Sequence, residues 1–168
     1  VARLGLLGML LLAVLLLQTT LLELIRFYIK PDLILMLVIF FALLNGIRPG
    51  VIFGAVAGLV QDLVFGRFLG LNSLALAITA LPVGYLESKV FKENLLVPIL
   101  VVFLASILHA VLIYSLQYLA GVHLPLAAGA RIGIMEACFN ALVVPLGYKK
   151  FLLSSTRGML RGFRRRGV

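Results

Sequence analysis

The sequence predicts an all-α polytopic membrane protein, a bundle of six transmembrane helices with both termini in the cytoplasm. Three observations carry this reading. The chain has 168 residues, of which 63% are hydrophobic and only 12% charged, and its mean hydropathy is +1.19. Soluble domains are about 45–50% apolar and about 25% charged, so a water-soluble globule of this composition lacks the polar surface it needs. Disorder is excluded as well, because disordered segments are poor in apolar residues. Second, apolar runs separated by short polar or Gly/Pro connections recur along the chain. At about 20 residues per span, this length admits at most six or seven of them. Third, 15 Lys and Arg stand against six Asp and Glu, a net charge of +9, and the basic residues gather in the connections and near the C-terminus. Nucleic-acid binding is set aside, because no polar fold presents that charge. It reads instead as the Lys/Arg bias that fixes membrane topology. The single cysteine, Cys138, lies in an apolar run, has no partner for an internal disulfide and reads as a small packing residue.

The first helix covers residues 4–25. Its basic start resembles a signal peptide, but the apolar stretch is too long and no small-x-small site follows it, so it is read as retained. Pro31-Asp32 opens the second helix, 32–45, since Pro fits a first turn and Asp complements the helix dipole. Asn45-Gly46-Ile47-Arg48-Pro49-Gly50 is a tight turn into the third helix, 50–65. These two helices are each shorter than the ~30 Å hydrocarbon core and are expected to sit among longer ones or to thin the bilayer. After Gly66-Arg67-Phe68-Leu69-Gly70, Asn72 or Ser73 caps the fourth helix, 72–88, which Pro82 and Gly84 bend. Lys89, Lys92, Glu93 and Asn94 form a polar loop before the fifth helix, 95–119. Gly121-Val122-His123-Leu124-Pro125 turns into the sixth, 126–148. Residues 1–150 are thus the membrane domain, and 151–168 are a basic cytoplasmic tail, either amphipathic on the inner leaflet or a solvated topology anchor. With both termini inside, 11 of the 15 basic residues fall on the cytoplasmic side.

Two constellations stand out. Gly50, Gly54, Gly58, Asp62 and Gly66 recur every four residues, close to one helical face. Small residues at that spacing let helix backbones approach closely, whether within the chain or across to another protein. Asp62 continues the stripe, and an acidic group at membrane depth is a functional candidate by default. Near the outer end of its helix it either latches the start of the fourth helix at Leu71, Asn72 and Ser73, or serves a partner or ligand. The second constellation is His109 and Glu136, each ten residues from the outer end of its helix and so at matching depth, roughly 15 Å down. They suit a His–carboxylate pair, either structural or a proton relay. Arg131 is a rival partner for Glu136 or Asp62, and Glu23 and Gln18 add polarity on the outer side.

Enzyme signatures do not form. There is no P-loop, no Gly-x-Ser-x-Gly and no His/Cys/Glu cluster, so no cofactor and no metal site is expected. An aspartyl intramembrane protease needs two facing aspartates; the chain has only Asp32 and Asp62, and Asp32 sits at a helix start near the surface. Ser106 and His109 lie three residues apart on one helix, a spacing common by chance.

The order and spacing of several short motifs resemble the MreD family of bacterial rod shape-determining membrane proteins. They are Pro31-Asp32-Leu33-Ile34-Leu35, Phe40-Phe41-Ala42-Leu43, Gly50-x-x-x-Gly54-x-x-x-Gly58-Leu59-x-Gln61-Asp62, Leu69-Gly70-Leu71-Asn72 and Val83-Gly84-Tyr85-Leu86. In the sixth helix, Phe139-Asn140-Ala141-Leu142-Val143-Val144-Pro145 resembles the family's Asn-Ala-to-Pro element. The resemblance implies a non-catalytic scaffold of cell-wall elongation in the bacterial cytoplasmic membrane. Its implied partners are an MreC-like single-span protein, a RodA-type glycosyltransferase with its class B penicillin-binding protein, and actin-like MreB. The family is also distantly similar to substrate-binding subunits of energy-coupling-factor transporters. That similarity implies a related fold and a second reading, in which Glu23, Asp62, His109, Arg131 and Glu136 line a small-molecule pocket.

Overall fold

In the computed structural model, residues 2–24, 31–65, 68–89 and 94–157 are described. Among them run six α-helices: α1 (Ala2–Leu24), α2 (Leu33–Asn45), α3 (Ile47–Phe65), α4 (Leu71–Tyr85), α5 (Leu96–Leu119) and α6 (Leu126–Arg157), with a 3-10 turn over Leu86–Ser88. No strand is present among the described residues.

The bundle is built around α2. Every residue from Ile34 to Leu44 is buried, on all sides of the helix. A helix apolar all round has to be enclosed, and each of the other five helices packs against it. At 13 residues α2 is roughly 20 Å long, so it lies inside a sleeve of longer helices. The core joins Leu11 and Leu15 of α1, Val38 of α2, Ala57 of α3, Leu76 and Ala80 of α4, Val102 of α5 and Val144 of α6. Phe40 meets Tyr148 edge-on at 5.2 Å and Phe41 tilts against Phe53 at 4.7 Å, so α6 and α3 lock onto α2 through rings.

The outside is as apolar as the inside. Leu96, Leu100 and Leu104 form an exposed stripe on α5, and Ile52, Val56, Leu59 and Leu63 lie exposed along α3. Such a continuous apolar surface suits lipid and not water. Three helices are long and apolar enough to cross a membrane: Ile47–Phe65, Leu96–Leu119 and Leu126–Tyr148, of 19, 24 and 23 residues. The protein is therefore a helical membrane protein.

Three sequence expectations change. The turn after Asn45 is a single residue, Gly46, because α3 already starts at Ile47. Gly46 takes φ +88°, a left-handed conformation natural to glycine, and donates its N–H to the Ala42 carbonyl. Pro49 falls in the first turn of α3, where no N–H is needed. Second, neither Asn72 nor Ser73 caps α4: the N-cap position is Gly70, at φ +97°, and the cap comes from elsewhere. Third, the sixth helix does not stop near residue 148. It runs on to Arg157 with Pro145 inside it, into the stretch read as the tail, because a proline removes one backbone bond and the turns around it hold.

Candidate functional site

The glycine stripe packs within the chain. A Cβ on Gly50 would lie 2.6 Å from the Cβ of Ala42 on α2. One on Gly54 would lie 2.9 Å from the Leu76 carbonyl oxygen, and one on Gly58 would lie 2.5 Å from the carbonyl carbon of Asn72, both on α4. On the other side Gly84 of α4 abuts Ile47, where an added Cβ would lie 2.6 Å from Cα. The stripe is thus where α3 meets α2 at one end and α4 at the other. Gly66, its last member, lies outside the described residues.

That approach delivers Asp62 to the start of α4. The carboxylate is 1% exposed and accepts four hydrogen bonds. Oδ2 accepts from the N–H of Gly70 at 2.9 Å and of Ser73 at 3.2 Å. Oδ1 accepts from the N–H of Asn72 at 3.2 Å and from its side-chain Nδ2 at 2.9 Å. A helix start leaves its first N–H groups without internal partners, and Asp62 supplies them together with the negative charge the dipole favours. Ser73 returns the contact, donating its hydroxyl to the Ala55 carbonyl at 2.8 Å.

Asn140 anchors a second network. Its Oδ1 accepts from the Asp32 N–H at 2.9 Å, and its Nδ2 donates to the Ser106 hydroxyl at 3.0 Å. Asp32 in turn caps α2, its Oδ1 accepting from Ile34 and Leu35 N–H at 3.0 Å each. Gln18 of α1 also accepts from Ile34 N–H, at 3.3 Å. The start of the central helix is thereby pinned to α1, α5 and α6.

Beside it is a cavity of about 230 Å³, between the starts of α2 and α4 and the facing sides of α5 and α6. Asp32, Asn72, His109, Tyr114, Gln117 and Glu136 supply its polar lining. His109 and Glu136 therefore meet at one cavity, as their matching depth permits, but no hydrogen bond joins them. Nδ1 of His109 is buried and has no partner. Gln61 Oε1 is buried without a partner too, on α3. Arg131 is exposed on α6 and forms no ion pair with Glu136 or Asp62. The side chain of Glu23 lies outside the described residues. No group of three or more His, Cys, Asp or Glu is placed to hold a metal among the described residues.

Asp32, Tyr114 and Gln117 were not expected at a site. Their signal was present in part: 109, 110, 113, 114 and 117 share one face of α5 at helical spacing, and all line the cavity. The family model described as rod shape-determining protein MreD matches residues 3–151. No curated protein and no solved structure matches the chain.

Proposed function

The chain belongs to the MreD family of rod shape-determining proteins, and from that membership we propose that it is a non-catalytic scaffold of the bacterial cell-elongation complex. The family match, spanning nearly the whole chain, carries the reading. In this proposal all six helices cross the cytoplasmic membrane with both termini inside, the short α2 and α4 sheltered by longer neighbours. The domain spans residues 1–150, and the basic segment 151–168 faces anionic inner-leaflet lipid. An MreC-like single-span protein binds by helix packing, and through it the chain joins a RodA-type glycosyltransferase, its class B penicillin-binding protein and MreB. The role is to organise peptidoglycan synthesis and so cell shape. Two latches, Asp62 of α3 holding the start of α4 and Asn140 of α6 holding the start of α2, support this reading, since a scaffold has to present a fixed outer surface. Gly50, Gly54, Gly58 and Asp62 then act by shaping that surface.

The experiment is affinity purification from native membranes in mild detergent, followed by mass spectrometry. An MreC-like protein with wall-synthesis enzymes is the expected recovery. An energy-coupling ATPase module in their place would replace the scaffold with the second reading, a small-molecule component similar to an energy-coupling-factor substrate-binding subunit. The observation that favours this second reading is the polar cavity at His109 and Glu136.

A further inference from the structure

The charge of that cavity is one-sided. Two carboxylates, Asp32 and Glu136, line it, and no Lys or Arg does among the described residues. Its acceptors are also unspent. Glu136 makes no hydrogen bond or ion pair among the described residues, and Asp32 uses only Oδ1 in capping α2. The imidazole of His109, 5% exposed, lines it as well. Buried polar groups in folded proteins are nearly always bonded, and ionisable groups at membrane depth are costly enough to mark function. Two carboxylates with acceptor oxygens to spare and the imidazole of His109, all lining one cavity, point to a donor that belongs there.

No group of three or more His, Cys, Asp or Glu is placed to hold a bare metal ion among the described residues. The space suits something larger. At about 230 Å³ it exceeds the roughly 150 Å³ void that accepts a benzene molecule in an engineered core. A primary ammonium group is a cation with three N–H donors and no acceptor, which suits a cavity lined by two carboxylates and an imidazole. Tyr114 also lines the cavity, with its hydroxyl donated to the Leu124 carbonyl at 3.0 Å, and an aromatic ring attracts a cation.

We infer that this cavity binds a small primary ammonium cation, with Glu136 as its counter-charge and Asp32 and His109 as its further acceptors. The inference rests on the cavity alone, so it holds for a scaffold as well as for a transport component. The ammonium belongs either to a free amine or to the ethanolamine headgroup of a membrane lipid, and the chemistry of the contact is the same.

The test places the full chain in phosphatidylcholine nanodiscs and titrates ethanolamine by calorimetry, with choline as the control that keeps the charge but has no N–H. Saturable ethanolamine binding is expected, with choline about tenfold weaker or more and Glu136→Gln weakened to a similar degree, as for loss of a charge-assisted hydrogen bond. Nanodiscs containing phosphatidylethanolamine then separate the sources. A raised apparent Kd for ethanolamine identifies the lipid headgroup as occupant, and an unchanged one identifies a free amine. No saturation up to roughly 10 mM in phosphatidylcholine, equal binding of choline, or unchanged binding in Glu136→Gln overturns the inference. If Glu136→Gln does not fold, the choline comparison on the unaltered chain decides by itself. Recovery of an MreC-like partner from the same membranes leaves the scaffold reading standing whichever way the amine result falls.

Discussion

Asp62 and Asn72 meet at 2.9 Å, carboxylate to side-chain amide, and the contact ties the end of α3 to the first turn of α4. Asp62 does for α4 what Asp32 does for α2. The difference is distance along the chain: Asp32 caps its own helix two residues on, while Asp62 reaches eight to eleven residues ahead. The reason is local. The N-cap of α4 is Gly70, which has no side chain to offer, so the helix borrows its cap from the one before it.

Removing that cap is expected to destabilise the fold. Asp62→Ala leaves the N–H groups of Gly70, Asn72 and Ser73 without their acceptor and costs about 2–3 kcal/mol. Asp62→Asn costs a comparable amount, because it turns an acceptor into a donor facing backbone donors. Thermal unfolding in detergent is the check. A wild-type melt in Asp62→Ala, together with lost recovery of an MreC-like protein, would make Asp62 a partner contact and not a latch.

The glycine stripe makes a sharper contrast. An added methyl normally favours a helix by about 0.5–1 kcal/mol over glycine. Gly8 of α1 has open space around it, so Gly8→Ala is expected to be neutral or slightly stabilising. Gly58→Ala is expected to lose more than the propensity gain, because its Cβ would press on the backbone of Asn72 and Ser73. The obstacle is backbone, so relief requires α3 and α4 to separate, which also breaks the Asp62 cap. Paired melts of the two variants measure the difference. Equal stability would mean the helices are farther apart than described.

Asn140 links two helices to a third, so its energetics should be coupled. Asn140→Ala strands the Asp32 N–H and the Ser106 hydroxyl in a buried setting and is expected to cost about 1–3 kcal/mol. Ser106→Ala costs less, since it removes its own polar group along with the contact. The double variant is expected to be less destabilised than the sum of the two, which a double-mutant cycle reads directly. Strict additivity would mean that the Asn140–Ser106 bond at 3.0 Å carries no net energy.

Much of this architecture is written locally. Apolar runs broken by Gly46, the Gly70 connection and Gly121 mark the helices, and Pro31-Asp32 marks the start of α2. The four-residue spacing from Gly50 to Asp62 places the carboxylate on the packing face, one turn from the connection whose N–H groups it binds. What stays hidden depends on register between helices. Asp32 reads as a surface group at a helix start, yet it is 8% exposed, because the short α2 sits within the bundle. His109 and Glu136 have a shared depth that follows from counting residues. Whether they bond each other or both face a cavity depends on how α5 rotates against α6. That rotation is fixed by contacts such as Gly129 with Tyr114 and Gly133 with Ala110, where an added Cβ would lie 2.7 Å from the neighbouring side chain.

His109 gives the clearest separation of stability from function. A buried donor or acceptor left unsatisfied costs about 1–3 kcal/mol, and replacing it by an apolar group of similar shape removes that cost. Nδ1 of His109 is such an atom among the described residues. His109→Leu is therefore expected to leave the melting temperature unchanged or raise it. Asp62→Ala, whose carboxylate is fully bonded, lowers it. A group retained at a cost to stability is one kept for what it binds, so the same His109→Leu variant is expected to weaken ethanolamine binding while unfolding no earlier than the native chain. A large loss of stability in His109→Leu would instead show that the imidazole is satisfied in the native membrane, by water or by a bound group that the purified protein retains. Melting the native chain with and without added ethanolamine separates these two cases, because only an unoccupied site gains stability from added ligand.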